Sequence, residues 1–193
     1  MGRTKEFVVE EALERARDIF WSQGFEGTSL SDLTEGMGIQ RASLYDTFGS
    51  KAELFQQAFA QYQELGYQKL ERLLSAGTDP LDSLRRVLES AIPESLEVER
   101  RGCFCVNVAV ELAPHNPEVA RQLENHLART GALLARTIAA GQAQGQLSLE
   151  IAPKEGAAYI LTCMNGLHIA AKTSTDLLAL RRRAALMLGA LTA

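Results

Sequence analysis

An all-α fold follows from three features of the 193-residue sequence. Apolar residues recur at helical spacing over most of its length, and glycine and proline punctuate them at helix-length intervals. The one stretch that alternates, Leu147, Leu149 and Ile151, is a five-residue run with no partner strand, and is read as a loop. With 46% apolar and 23% charged residues, the chain has the length for one sizeable core or two small ones.

Val9, Ala12, Leu13, Ala16, Ile19 and Phe20 form the apolar face of a first helix, which Gly24 stops. Ser29 caps a second, Asp32 stands three residues on to complete a capping box, and the helix ends at Gly36-Met37-Gly38. A third begins near Gln40 or Arg41 and breaks at Gly49. Two short helices joined by a tight turn have the spacing of a helix-turn-helix. Ser50 caps a fourth helix with Glu53 as its partner, and Leu54, Phe55, Ala58, Phe59, Tyr62 and Leu65 carry it toward Leu74. Asp79-Pro80 opens the next segment, and further helices are expected at about 80–93, 103–113, 117–144, 154–172 and 176–191. The layout is an N-terminal three-helix helix-turn-helix domain, residues 1–52, followed by a helical domain, residues 53–193.

Composition narrows the function classes. No run of eighteen apolar residues exists and Met1 to Glu10 lacks the apolar core of a signal peptide, so a cytoplasmic chain with no membrane partner is expected. Cys103, Cys105 and Cys163 are too few for a disulfide framework, which agrees with a reducing compartment. No catalytic constellation is found, and no cofactor is expected. An all-helical thiol-dependent enzyme would rest on one activated cysteine. Metal is not expected either, because Cys103 and Cys105 differ by about 200° around a helix and converge on one ion only if the helix starts later.

The third helix carries the chemistry of the N-terminal part. A helix-turn-helix places its second helix in the DNA major groove while the first crosses the backbone. Arg41 offers a guanidinium fork to guanine, Ser43 bonds donors or acceptors, and Asp46 can accept from cytosine N4. Tyr45 and Lys51, with Thr28 and Ser29 at a helix start, suit phosphate oxygens. Leu44 and Phe48 lie on the opposite side to pack against Leu33 and Met37. Charge does not favour a broad footprint: the net charge is −4, and Met1 to Lys51 holds Arg3, Lys5, Arg15, Arg17, Arg41 and Lys51 against nine acidic residues. Binding must therefore come from a few positioned contacts and from pairing of half-sites.

The spaced run Phe20, Gly24, Phe25, Thr28, Ser29, Leu30, Leu33, Gly38, Ile39, Leu44, Tyr45, Phe48, Lys51, Glu53 and Leu54 resembles the TetR family of bacterial transcriptional regulators. The resemblance covers about the first third of the chain. It implies a DNA-binding domain joined to an all-helical effector-binding and dimerisation domain. It also implies a homodimeric repressor released from a palindromic double-stranded DNA operator by a small-molecule or electrophilic effector. It puts Arg41, Ala42, Ser43 and Asp46 near base edges and Thr28, Ser29, Tyr45, Thr47 and Lys51 near phosphates, with Ser31 and Gln40 completing the DNA-facing set. Gln40 departs from the small capping residue usual there, and Asp46 is acidic where aromatic or histidine residues are common.

In the second part, Cys103, Asn107 and Glu111 fall at i, i+4 and i+8 on an otherwise apolar helix. Such a stripe is either a thin solvent face or, with Phe104 and with His168 from a later helix, the wall of an effector pocket. Cys103 follows Arg100-Arg101-Gly102 at a helix start, where cations and the helix dipole favour thiolate; it is either a small buried residue or an electrophile sensor. The small residues Gly156, Ala157, Ala158, Gly166, Ala170 and Ala171, and the apolar last helix from Ala184 to Leu191, suit close helix pairing in a dimer. A helical dimer module that does not bind DNA is the remaining alternative.

Overall fold

The computed structural model describes residues 7–93 and 101–192. Among these are nine helices: α1 (Val9–Gln23), α2 (Leu30–Met37), α3 (Arg41–Phe48), α4 (Lys51–Ser75), α5 (Pro80–Glu89), α6 (Phe104–Glu111), α7 (Pro117–Ala143), α8 (Pro153–Thr173) and α9 (Leu177–Gly189). The fold is all-α. No described helix is long and apolar enough to cross a membrane.

Most helix starts are fixed by side chains that satisfy orphan N–H groups. Ser29 Oγ accepts from Asp32 N at 3.1 Å while Asp32 accepts from Ser29 N at 2.7 Å, the capping box that begins α2. Ser50 caps α4 through Glu53 N at 3.1 Å. Asp79 and Asn116 cap α5 and α7 with proline at the first helical position. Asp176 caps α9 through Ala179 N. Gly38, in the left-handed region at φ 68°, ends α2, and Arg15 Nη1 donates to Met37 O at 3.4 Å on the same helix end.

Two segments are shorter than their periodicity predicts. The fifth helix stops at Glu89, after which Ala91 N and Ile92 N bond three residues back, to Leu88 O and Glu89 O. In the sixth, Cys103 is the residue before the helix, not its first turn. Leu147–Ile151 is a loop, as its isolation predicts. Leu147 is buried and makes one bridge to Thr192, and Ser148 N donates to Leu191 O at 3.0 Å, which ties the loop to the chain end.

The core has two bodies. Ala12, Ala16, Phe20, Leu33, Met37, Leu44 and Phe48 meet the first half of α4 through Leu54, Phe55, Ala58 and Phe59. The same cluster also takes in Phe104, Val108 and Leu112 of the α6 segment and Val119 and Leu123 of α7. The second body holds Leu84, Val87 and Leu88 of α5 with Leu133, Leu134 and Ile138 of α7, Ile160 and Leu167 of α8, and Leu180, Ala184 and Leu188 of α9. The 25 residues of α4 cross from one to the other.

Phe104 closes the first body. It is 1% exposed, and its ring lies edge-on to Phe59 at 5.3 Å, Tyr62 at 5.5 Å and Phe55 at 6.1 Å. Phe104→Ala is expected to cost about 3–5 kcal/mol of stability, measured by urea unfolding. A loss below about 1 kcal/mol would mean that the ring does not hold α6 to the head.

Candidate DNA-reading surface and effector cavity

α3 buries Leu44 and Phe48 and turns Gln40, Arg41, Ala42, Tyr45 and Asp46 outward, with Ser43 and Thr47 half-buried at its margins. Arg41 lies along Tyr45, its Nη2 3.5 Å from the hydroxyl and its Cζ 5.8 Å from the ring centroid. That i, i+4 pair presents one flat polar edge. Asp46 has no bond to Arg41 and stands exposed beside it. At the start of α2, Ser29 and Ser31 are exposed, but the side chains of Ser29 and Asp32 already serve the cap. Hydrogen bonds from Ser29 hold the Asp32 carboxyl below its usual value, so it stays ionised. Lys51 sits with its Nζ 4.4 Å from the centre of the Phe25 ring, at the start of α4.

Thr28 does not belong to this surface. It is 1% exposed and its hydroxyl donates to Gly24 O at 2.6 Å, so it locks the turn between α1 and α2 and its proton is already used.

The turn that Thr28 locks is also held from a distance. Glu111, at the end of α6, accepts from Phe25 N at 3.1 Å and Glu26 N at 2.8 Å through its two carboxylate oxygens. Gly24 beside it has φ 78°, and a Cβ there would lie 2.9 Å from both of those oxygens. The polar stripe of α6 is thus neither a solvent face nor a cavity wall. Glu111 is bound to the head, and Asn107 donates to Arg101 O at 3.0 Å and accepts from Lys172 Nζ at 3.1 Å. Cys103 takes the Tyr62 hydroxyl at 3.6 Å. Phe104 is core.

A cavity of about 900 Å³ opens beside this seam, between Trp21 of α1, Tyr62 and Lys69 of α4, the Glu89–Pro93 segment, His168 of α8 and Arg181 of α9. Of the sequence-predicted pocket residues only His168 lines it; Cys103, Phe104, Asn107 and Glu111 do not. Burial holds the His168 imidazole below its usual value. Trp21, Lys69 and Arg181 carried no sequence signal for this role. Each lies on a helix whose periodicity explains it as amphipathic, and their convergence is tertiary.

The position of Cys103 before α6 changes its chemistry. Outside the helical turn, its sulfur meets that of Cys105, so the 200° separation does not apply. The Cys105 thiol donates to Cys103, and this lowers the Cys103 pKa, against burial that would raise it. His168, the Val106 N–H and the Tyr62 hydroxyl add to the lowering. Cys105 correspondingly keeps its proton, and burial raises the Tyr62 phenol well above its usual range. Of the expected causes, the helix start contributes through the Val106 N–H; Arg100 lies outside the described residues, and Arg101 places its guanidinium 4.3 Å from the Trp21 ring centre and 3.5 Å from Asp18. Among the described residues no group of three His, Cys, Asp or Glu side chains is gathered to hold a metal ion.

An outward polar helix presented by a capped helix-turn-helix, with a cavity that reaches α1 of the same unit, fits a DNA-binding transcriptional regulator. Residues 12–58 match the family "Bacterial regulatory proteins, tetR family", and residues 80–187 match "Tetracyclin repressor-like, C-terminal domain". The chain belongs to the TetR family. It is 35% identical over 151 residues to the HTH-type transcriptional regulator YezE of Bacillus subtilis, covering 78% of each chain. It is 28% identical over 178 residues to the HTH-type transcriptional repressor ComR of Escherichia coli, covering 91% of this chain and 85% of that one. A cysteine-substituted form of the TetR family regulator CifR, solved with 26-bp double-strand operator DNA, superimposes with a TM-score of 0.85 at 30% identity over 98% of this chain and 100% of that one.

Two outcomes follow from the seam. Glu111→Ala leaves two N–H groups without their acceptor, at about 1–3 kcal/mol, and hydrogen exchange at Phe25 and Glu26 should accelerate accordingly. Unchanged protection there would remove the link. Alkylation of Cys103 should follow a pH profile displaced well below that of a free thiol, because the thiolate is the nucleophile, and Cys105→Ala or Tyr62→Phe should move the profile upward. An ordinary thiol profile in the wild-type protein would end the case for an activated cysteine.

Proposed function

We propose that the protein is a homodimeric repressor, not an enzyme, that acts in the cytoplasm and leaves a near-palindromic operator when a small molecule fills the cavity. The reading divides the chain at residue 52, with residues 1–52 as the head and 53–193 as the effector-binding and dimer-forming part. One observation carries it: Trp21 belongs to α1 of the head and at the same time lines the cavity, so an occupant touches the DNA-binding domain itself. A ligand that fits one disposition of α1 better than the other shifts the equilibrium by its differential affinity.

On the DNA, Arg41, Ala42, Ser43 and Asp46 take the base edges. Tyr45, Thr47, Lys51, Ser29, Ser31 and Gln40 take phosphates and the groove margin. The partner copy is placed on α8 and α9, where Ile169, Leu178 and Leu186 are 54%, 56% and 77% exposed. Gly166 lies on the open side of α8 with nothing near its Cβ position, whereas a Cβ on Gly156 would lie 3.0 Å from Ile138 and Ala157 is buried, so the small residues divide between the two faces. The contact between Cys103, Cys105 and Tyr62 favours a second route of release, in which an electrophile modifies Cys103 and disturbs α6 from its N-terminal end.

Fluorescence anisotropy against duplexes tiling the DNA beside the protein's own gene tests the reading. One tile should bind tightly, and Asp46→Asn should change the preferred bases in a site-selection experiment while binding persists. No retained duplex, together with a stable dimer, would leave a helical module that does not regulate.

A further inference from the structure

The cavity is unevenly charged. Lys69 on α4 and Arg181 on α9 both line it, and neither has a hydrogen bond or an ion pair among the described residues. The one carboxylate among the described lining residues, Glu89, is held by Arg85 at 2.9 Å. Arg101, at the same wall, already serves Asp18 and the Trp21 face. Part of the remaining wall is apolar and aromatic, formed by Trp21, Tyr62, Ile92 and Pro93, beside the polar Ser90 and His168. Among the described residues these two cations have no counter-charge, and an anion that brings its own apolar body can meet them with its head while it covers the apolar part of the wall.

We propose that the cavity takes a singly charged anionic small molecule with an apolar body, its carboxylate-like head on Lys69 and Arg181 and its body against Trp21, Tyr62 and Ile92. This rests on the reading of the cavity as the effector site and adds the chemical class of its occupant. His168, beside Lys69, supplies a neutral polar edge. Neutral molecules of the same shape gain nothing from the two cations, and cationic ones are repelled by them.

Trp21 is the sole tryptophan of the chain and stands in the cavity wall, so its fluorescence reports occupancy directly. The probes are 4-phenylbutyrate, 4-phenylbutanamide and 4-phenylbutylamine, one body with three head charges, titrated against the wild-type dimer and a Lys69→Gln, Arg181→Gln double variant. Both substituted side chains are exposed, and an unchanged Tm and circular dichroism spectrum certify that the variant is folded. The carboxylate should bind at least about tenfold tighter than the amide, the amine should bind weakest, and the variant should hold the carboxylate no better than the amide. Equal or tighter binding of the amide or amine, a carboxylate affinity unaffected by the double substitution, or no change of Trp21 fluorescence up to millimolar probe would overturn the proposal. Operator release is followed in the same samples. A carboxylate that binds through Lys69 and Arg181 without releasing DNA upholds the anion site and removes the cavity from regulation. Release by neutral and anionic probes at equal affinity keeps the effector site and overturns its charge preference.

Discussion

The head of this protein is completed by a helix that lies fifty residues beyond it. α2 and α3 are eight residues each, and the core they share with α1 extends onto α4, α6 and α7. The ring of Phe104, set among Phe55, Phe59 and Tyr62, fills the space that a three-helix unit leaves open. Burial of that aromatic face fixes α6 against α4 and α1 together. Everything else at the junction depends on it. With Phe104 seated, Cys103 meets the Tyr62 hydroxyl at one end of α6, and Glu111 reaches the amides of Phe25 and Glu26 at the other. The eight residues of α6 therefore run from beside Tyr62 of the cavity wall to the turn between α1 and α2.

Much of the fold was legible because helix ends obey local chemistry. Ser29 with Asp32, Asp79 with Pro80, and Asn116 with Pro117 each satisfy orphan N–H groups within three residues, so sequence and structure agree there. The outward set on α3 was legible for the same reason: one buried face, Leu44 and Phe48, dictates the other. Thr28 was misread because a hydroxyl at a helix start suits a phosphate or the backbone equally well, and only the path of the turn back to Gly24 decides. The α6 stripe was visible as a pattern, but its partners lie 86 residues away in one direction and 65 in the other, on α1 and α8 segments that no local rule relates to it. The cysteine pair turned on a one-residue boundary, since a residue before a helix is free of the 100° rotation that governs those inside.

The acidic balance of the head is resolved by where its carboxylates are used. Asp32 is consumed by the α2 cap, and just beyond the head Glu53 receives the Ser50 hydroxyl at 2.8 Å. Both stand at helix starts where their charge is favourable to the helix dipole. Arg41 and Lys51, by contrast, are held on aromatic rings, Tyr45 and Phe25, which fix their direction without neutralising them. A modest number of oriented cations, not a field of them, gives a surface that discriminates among duplexes more than it attracts them.

Gly24 and Glu111 show how far apart two positions can be and still form one decision. The backbone at Gly24 takes φ 78°, and the space its missing Cβ leaves is the space in which the Glu111 carboxylate sits. A side chain at position 24 evicts the carboxylate, and a shorter residue at 111 empties the slot but leaves a φ that still favours glycine at 24. Along any lineage of this protein the glycine is therefore held twice, by its backbone and by its partner, and a hybrid joining the head of one descendant to the effector half of another inherits a fault wherever the carboxylate at 111 has been lost.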